Sequence, residues 1–320
     1  MVRTTSFEIQ ILPPSELDKA KWDHTVFESA NGRFFAAYDY LQHMAPDWNG
    51  LVIGDYEAVL PLIYNTKYRI RYLAALPFVR QLGMIGRLPQ QMQTAAGTKA
   101  IFEIIHDFAK YGDICFNELN EDLLGGAGLV GTTQALPNYE LNLNKGLSIL
   151  TGGYQKSLQG KLRRLQKEAA LQWLAADPHE VIGAYQQMLS VKTELNLKAD
   201  FKKLHHLVEQ PFGKAHFSAY QVRKKSSHHP VLLQGIYGKD KHRVYKFMTV
   251  ISPEGRKEQA GIFALNELIA RYVSRDYKLD FMGSGLPGVR SFIESFGALN
   301  KPYFLYHFNH LPWPLRLVKK

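Results

Sequence analysis

The chain has 320 residues, a formal net charge of +10, 46% hydrophobic and 12% aromatic residues, and one cysteine. That length suits two domains of roughly 150 residues each, and the composition excludes a disordered or fibrous chain. No apolar run approaches the roughly 18 residues of a membrane span, the single Cys115 excludes an internal disulfide, and the charge asks for an anionic partner without choosing among nucleotide, coenzyme A, tRNA and membrane surface.

The first residues lack the apolar core of a signal peptide, and with one thiol the expected location is cytoplasmic. Cys115 lies in an apolar run and reads as a buried structural thiol. Residues 8–12 read as a strand closed by Pro13 and Pro14, and Ser15 with Asp18 caps a helix through Trp22. Residues 34–41 suggest a second helix ended by Pro46. Residues 48–54 and 57–64 form a hairpin across Asp55-Tyr56, and 69–76 a third strand. The loop from Pro77 to Gly83 is apolar except for Arg80 and Gln81. A helix over 95–111, a strand over 113–119, a glycine-rich loop at 125–128 and a strand over 138–143 complete this half.

Glycines at 146, 152 and 153 punctuate the chain. The predicted domains are therefore 1–146 and 147–320. Tyr154, Leu158, Leu162, Leu165 and Ala169 recur at helical spacing, with Lys156, Lys161, Arg163, Arg164 and Lys167 on the other faces. That basic side is either a solvated surface or a wall facing an acidic substrate or tRNA. Helices are predicted at 178–190 and 198–208, and a short helix or strand at 217–223. His205-His206 and His228-His229 are adjacent pairs, which point apart on a regular element and make poor metal sites.

The densest pattern runs from Val231 to Asn309. Strands at 230–237 and 243–251, a helix opened by Ser252 and Pro253, a strand at 278–284, a helix from Pro287 burying Val289, Phe292 and Phe296, and a strand at 302–309 predict a mixed sheet with a helical crossover. The order in the first half is similar. The fold class expected is α+β, with two domains of mixed, mainly antiparallel sheet flanked by helices.

Three runs in the second half, Leu279-Asp280-Phe281-Met282-Gly283-Ser284, Pro287-Gly288 and Phe292-Ile293-Glu294-Ser295-Phe296-Gly297-Ala298, resemble the C-terminal signature of FemAB-like and BioF2-like acyltransferases, relatives of the GNAT N-acyltransferases with tandem domains. The basic helix after Tyr154 resembles the one that opens that group's second domain, and the Pro77–Gly83 loop resembles a Pro-Phe-x-x-Gln-x-Gly run of its bacterial members. The resemblance implies transfer of an acyl or aminoacyl group to a small-molecule or peptide amine. The donor implied is acyl-coenzyme A or aminoacyl-tRNA, without a metal. The glycine pattern of the GNAT coenzyme loop fails at Gln259 in Arg256–Gly261. In Arg80–Gly86 its second glycine comes one residue late. Ile293 stands where FemAB members often carry lysine. These departures leave two other readings open: a ligand-binding protein that keeps the fold without catalysis, and an RNA-binding one.

Such chemistry needs a proton acceptor, an oxyanion donor and an anion cradle. Asp280, alternating with Leu279 and Phe281, is the candidate base; a structural carboxylate is the other reading. Lys246 and Tyr245 are candidate oxyanion donors, against an exposed face for the lysine and a core place for the tyrosine. Arg80, Gln81, Gly283, Ser284 and Arg290 are candidates for donor or substrate binding, against a plain turn and surface arginines.

Overall fold

The computed structural model describes residues 8–125, 129–192, 197–226, 230–283 and 285–316. The chain folds as two compact units: one takes Met1–Leu136 and Pro302–Lys320, the other Pro137–Lys301.

The first unit opens with strand β1 (Ile9–Leu12), helices α1 (Lys19–Glu28) and α2 (Tyr38–Met44), and strands β2 (Asp47–Ile53), β3 (Ala58–Lys67), β4 (Ile70–Leu73) and β5 (Ile85–Gly86). Helix α3 (Ala95–Phe108), strand β6 (Tyr111–Phe116), helix α4 (Glu121–Leu124) and strand β7 (Thr132–Leu136) follow. The second unit runs β8 (Tyr139–Asn142), α5 (Leu147–Gly152), α6 (Lys156–Glu168), β9 (Leu171–Ala175), α7 (Pro178–Lys192), α8 (Lys198–Glu209), α9 (Pro211–His216), β10 (Phe217–Lys224), β11 (Leu233–Lys239) and β12 (Arg243–Ile251). It ends with α10 (Pro253–Lys257), α11 (Ala260–Tyr272), β13 (Lys278–Asp280), α12 (Pro287–Glu294) and β14 (Leu299–Asn300). Strand β15 (Tyr303–Asn309) and helix α13 (Trp313–Arg316) return to the first unit.

Both sheets are built to one plan. The first has the order β1-β2-β3-β4-β6-β15-β7, with β5 beside β3, and the second β9-β10-β11-β12-β13-β8-β14. In each, four antiparallel strands lead through a crossover helix to a strand parallel to the fourth: β4 with β6, and β12 with β13. The halves are thus alike, as their shared pattern predicted.

The pairing overturns two placements. The strand at 138–143, read as closing the first half, is β8 and pairs with β13 and β14. The strand at 302–309, read as closing the second half, is β15 and pairs with β6 and β7. Alternation says that a segment is a strand but not which sheet receives it. Tyr306 and Phe308 are buried in the first core with Phe102 and Phe116, while Leu141 and Leu143 join the second.

Local chemistry accounts for the element ends. Asp18 caps α1 by accepting from the amides of Ala20 and Lys21, and the Ser252 hydroxyl accepts from Gly255 at the start of α10. Tyr154, Leu158, Leu162 and Leu165 are buried, as the spacing predicted, but Ala169 is exposed, because α6 ends before it and it turns left-handed at φ +46°. Phe296, two residues beyond α12, is buried, but Val289 on the helix is 40% exposed, because the helix stops after two turns and buries only Ile293. Strand β7 was missed. Its Thr-Thr-Gln-Ala-Leu run is nearly all exposed and carries no alternation signal.

Gly112, with φ +142°, lies on the last parallel rung between β4 and β6, and a Cβ there would come within 2.4 Å of the Leu73 carbonyl oxygen. Gly112→Ala should destabilise the chain by roughly 2–3 kcal/mol through backbone strain and lost pairing, measured as a lower denaturation midpoint in urea.

Candidate active site

Strand β13 runs beside β12 for three rungs only: Arg243 with Lys278, Val244 with Leu279, and Tyr245 with Asp280. Beyond Tyr245, β12 continues to Ile251 with no strand on that side among the described residues. A β-bulge falls at the same point. Gly238 pairs with Tyr245 and Ile236 with Met248, so Tyr237 faces both Lys246 and Phe247. A bulge breaks the in–out rule and sharpens the local twist, and bulges gather beside active sites. The direction of Lys246 is therefore set by the bulge rather than by simple alternation.

A buried polar cluster anchors the paired end. Asp240 accepts from the amides of His242 (2.9 Å) and Arg243 (2.7 Å) and from the Tyr245 hydroxyl (2.5 Å). Arg243 Nε donates to Glu140 Oε1 at 3.3 Å, and Lys278 Nζ lies 3.8 Å from the other carboxylate oxygen. The Asp280 carboxylate accepts from the Met282 amide at 2.7 Å. Strand register puts Arg243, Tyr245, Lys278, Asp280 and Glu140 on one face, opposite the core residues Val244, Leu279 and Leu141. Tyr245 and Asp280 are each 1% exposed. The Tyr245 hydroxyl is committed to Asp240, and Asp280 shapes the turn that follows it.

That turn leaves the strand through two left-handed residues, Met282 (φ +56°) and Gly283 (φ +85°). The Gly283 amide donates to Asn138 Oδ1 at 2.6 Å. Asn138 is fully buried, and its Nδ2 has no hydrogen-bond partner among the described residues. Ser284 lies outside the described residues. Arg290 is exposed in the first half of α12.

Lys246 is half-buried and has no ion-pair or hydrogen-bond partner among the described residues. Burial pushes its ammonium down to about 8. A buried cation without a counter-charge in an otherwise apolar strand is a functional-site signal.

The crossover helix supplies the other end of the site. Gln259, which breaks the glycine pattern of the coenzyme loop, adopts φ +59°, the left-handed conformation that glycine favours. No side chain caps α11, and the Gln259 carbonyl is taken by the amides of Ile262 and Phe263. The half-buried Gly261 amide thus starts the helix without a backbone partner among the described residues, near the exposed Arg256 and Lys257, while Ala260 is fully buried.

Arg80 and Gln81 belong to the first unit. There β4 and β6 share two rungs, part, and meet again at the Leu82–Phe116 bridge. The detour encloses a slot of about 40 Å³ lined by Leu76, Arg80, Gln81, Leu82, Ile114 and Cys115 among others. Arg80 is exposed and Gln81 buried. Asn117 Nδ2 holds the Leu82 carbonyl (2.9 Å) and Asn120 Nδ2 the Met84 carbonyl (3.0 Å). Gly83 (φ +74°) has no room for a Cβ, which would meet Asn120 Oδ1 at 2.3 Å. Burial raises the Cys115 thiol to about 11, in keeping with a structural role.

The remaining histidine readings divide. His205 is no plain surface residue: its Nδ1 lies 2.8 Å from Nδ1 of His179, with the rings stacked. His228 and His229 lie outside the described residues. Among the described residues no cluster of three or more His, Cys, Asp or Glu side chains could hold a metal ion.

Sequence reasoning missed Asn138, Glu140, Asp240 and Arg243. Glu140 carried a signal, a lone carboxylate between Tyr139 and Leu141 in a short apolar strand, paralleling Asp280 between Leu279 and Phe281.

Two sheets of this strand order, each with a central parallel pair that parts beside a crossover helix, define a tandem GNAT-like fold. Among solved structures, that of FemX superposes with a TM-score of 0.67 at 11% identity, over 98% of this chain and 99% of that one. L-PGS from Bacillus licheniformis gives 0.52 at 10% identity, over 96% of each chain. A GNAT-family acetyltransferase from Colwellia psychrerythraea gives 0.51 at 11%, over 95% of this chain and 100% of that one. No protein-family model and no curated protein matches the chain.

The lowered Lys246 value fixes a sign. Folding disfavours the charged amine, so the penalty is fully present below pH 8 and fades as the pH rises from 8 towards the ordinary lysine value. Lys246→Met should stabilise the chain by roughly 1–2 kcal/mol near neutral pH, allowing for partial solvent screening, with the gain vanishing near pH 10. Urea denaturation of both proteins across that range measures it.

Proposed function

We propose that the chain transfers an acyl or aminoacyl group, from a thioester or a tRNA ester, to the amine of a small molecule or peptide. The observation that carries this reading is the open edge of β12, which begins at Lys246 and leads to the uncapped start of α11. An extended, amide-bearing donor arm adds to such an edge as a further strand would. Its phosphate then meets the Gly261 amide at that helix start. The fold likeness to an acetyltransferase supports the same reading.

In the step proposed, the neutral acceptor amine attacks the donor carbonyl, a C–N bond forms, and the C–S or C–O bond breaks. The amine proton leaves through water to the departing group. Lys246, mostly ammonium at neutral pH, donates to the developing oxyanion. Asp280 and Tyr245, both buried, act as positioning residues: one holds the Met282–Gly283 turn, the other ties β12 to Asp240. Arg290 is assigned to an anionic part of donor or acceptor; Arg80 is exposed at the mouth of the first unit's slot, which is too small for either, and is assigned only to an anionic part of a substrate at the surface.

Titration with acetyl-coenzyme A and with alanyl-tRNA, read as thermal stability, tests the reading. A bound donor at about one hundred times its Kd should stabilise the chain by about 2.7 kcal/mol. Lys246→Met should lower transfer to added polyamine by about 10²-fold or more while keeping the fold. No stabilisation by either donor and no transfer would leave a binding protein without catalysis.

A further inference from the structure

Helix α6 carries a cationic stripe. Lys156, Arg163 and Lys167 lie opposite the buried Leu158, Leu162 and Leu165, with Arg164 beside them, and all four cations are exposed. Among the described residues only Arg164 of the four has an ion-pair partner, Glu168 at 3.6 Å. Gly160 sits within the stripe, and a Cβ built there would meet nothing within 4 Å. Glycine weakens a helix interior, and with open space the fold does not require it. Its effect is a flat gap where another backbone approaches closely. The helix packs beside α11, whose start offers the Gly261 amide described above.

We propose that this stripe docks an acidic, helical carrier protein, whose phosphopantetheine-linked thioester is the acyl donor. The inference rests on the acyl-transfer reading and names its donor. Two features favour such a partner. The stripe is straight, rigid and about three turns long, matching acidic residues at helical spacing on a facing helix, and Gly160 permits close helix-to-helix packing. A carrier-borne arm also brings one phosphodiester and no nucleotide. The start of α11 suits that smaller anion, because Gln259 puts a side chain where the coenzyme loop has glycine. A membrane surface fits poorly: the apolar side of α6 is buried in the core, and the stripe offers no large apolar residue to insert. In the reaction the carrier's C–S bond breaks, the amide C–N bond forms, and the amine proton ends on the released pantetheine thiol.

Fluorescence anisotropy of a labelled, phosphopantetheinylated acyl carrier protein, titrated with the full chain, tests this. Arg163→Glu/Lys167→Glu should weaken binding at least about tenfold, and the charge-matched control Lys202→Glu/Lys214→Glu on α8 and α9 less than about twofold. Reversing acidic residues on the carrier helix should restore binding to the double variant. Gly160→Leu should weaken docking while raising the melting temperature, which separates contact from folding. Equal losses in both double variants would show mere net charge and overturn the proposal. So would binding of deacylated tRNA or phosphatidylglycerol vesicles through α6 with no binding of the carrier. Turnover of acetyl-coenzyme A without carrier binding would overturn the carrier alone and leave the acyl-transfer reading standing. Failure of every donor would remove both.

Discussion

The second unit depends on a parallel ladder that stops after three rungs. Parallel strands need a crossover, and a crossover helix needs room to pass over the sheet. Here the room is made by letting β12 run on after β13 has turned away at Asp280. Backbone groups that would otherwise bond across the sheet are left on an open edge. Buried backbone without partners is costly, so an edge of this kind persists where something else satisfies it, whether water or a ligand.

The anchor of that ladder is polar, which is unusual for the middle of a sheet. Asp240, Arg243, Glu140, Lys278 and Asp280 gather carboxylates and cations where β8, β13 and the start of β12 meet. Replacing such a set by well-packed apolar residues is often neutral or stabilising, whereas breaking one member is strongly destabilising. Its value therefore lies in register more than in net stability. Glu140 can reach Arg243 only if β8 lies beside β13 in the observed alignment. The charged residues thus select the long-range strand that completes the sheet.

Much of this was legible in the sequence, and the failures share a cause. The bounds of β12 and the buried face of α6 followed from local pattern, and so did the similarity of the two halves. Asp280, Tyr245 and Lys246 were singled out because each is polar in an apolar run. What stayed hidden is relational. That β8 and β15 trade sheets is a fact about partners more than a hundred residues apart. The bulge at Lys246 depends on the register of β11, and the left-handed Gln259 on a helix break that a non-glycine residue disguises. Val289 was misplaced because helical spacing gives a face but not the width of the surface that covers it.

The two units share a plan and diverge in what they do with it. In the first, the chain that leaves β4 comes back at Leu82, and Asn117 and Asn120 stitch it down, so the gap closes to a slot of about 40 Å³. A space of that size holds little more than one water molecule. Its one thiol, on Cys115, is held protonated by burial. In the second, no described residue of the chain that leaves β13 pairs with the edge of β12, and burial pushes the ammonium of Lys246 there down to about 8. Duplication supplies the same opening twice, and the asparagine clamp fills it once. The second unit therefore keeps an open edge with a half-buried amine beside it, where the first keeps neither.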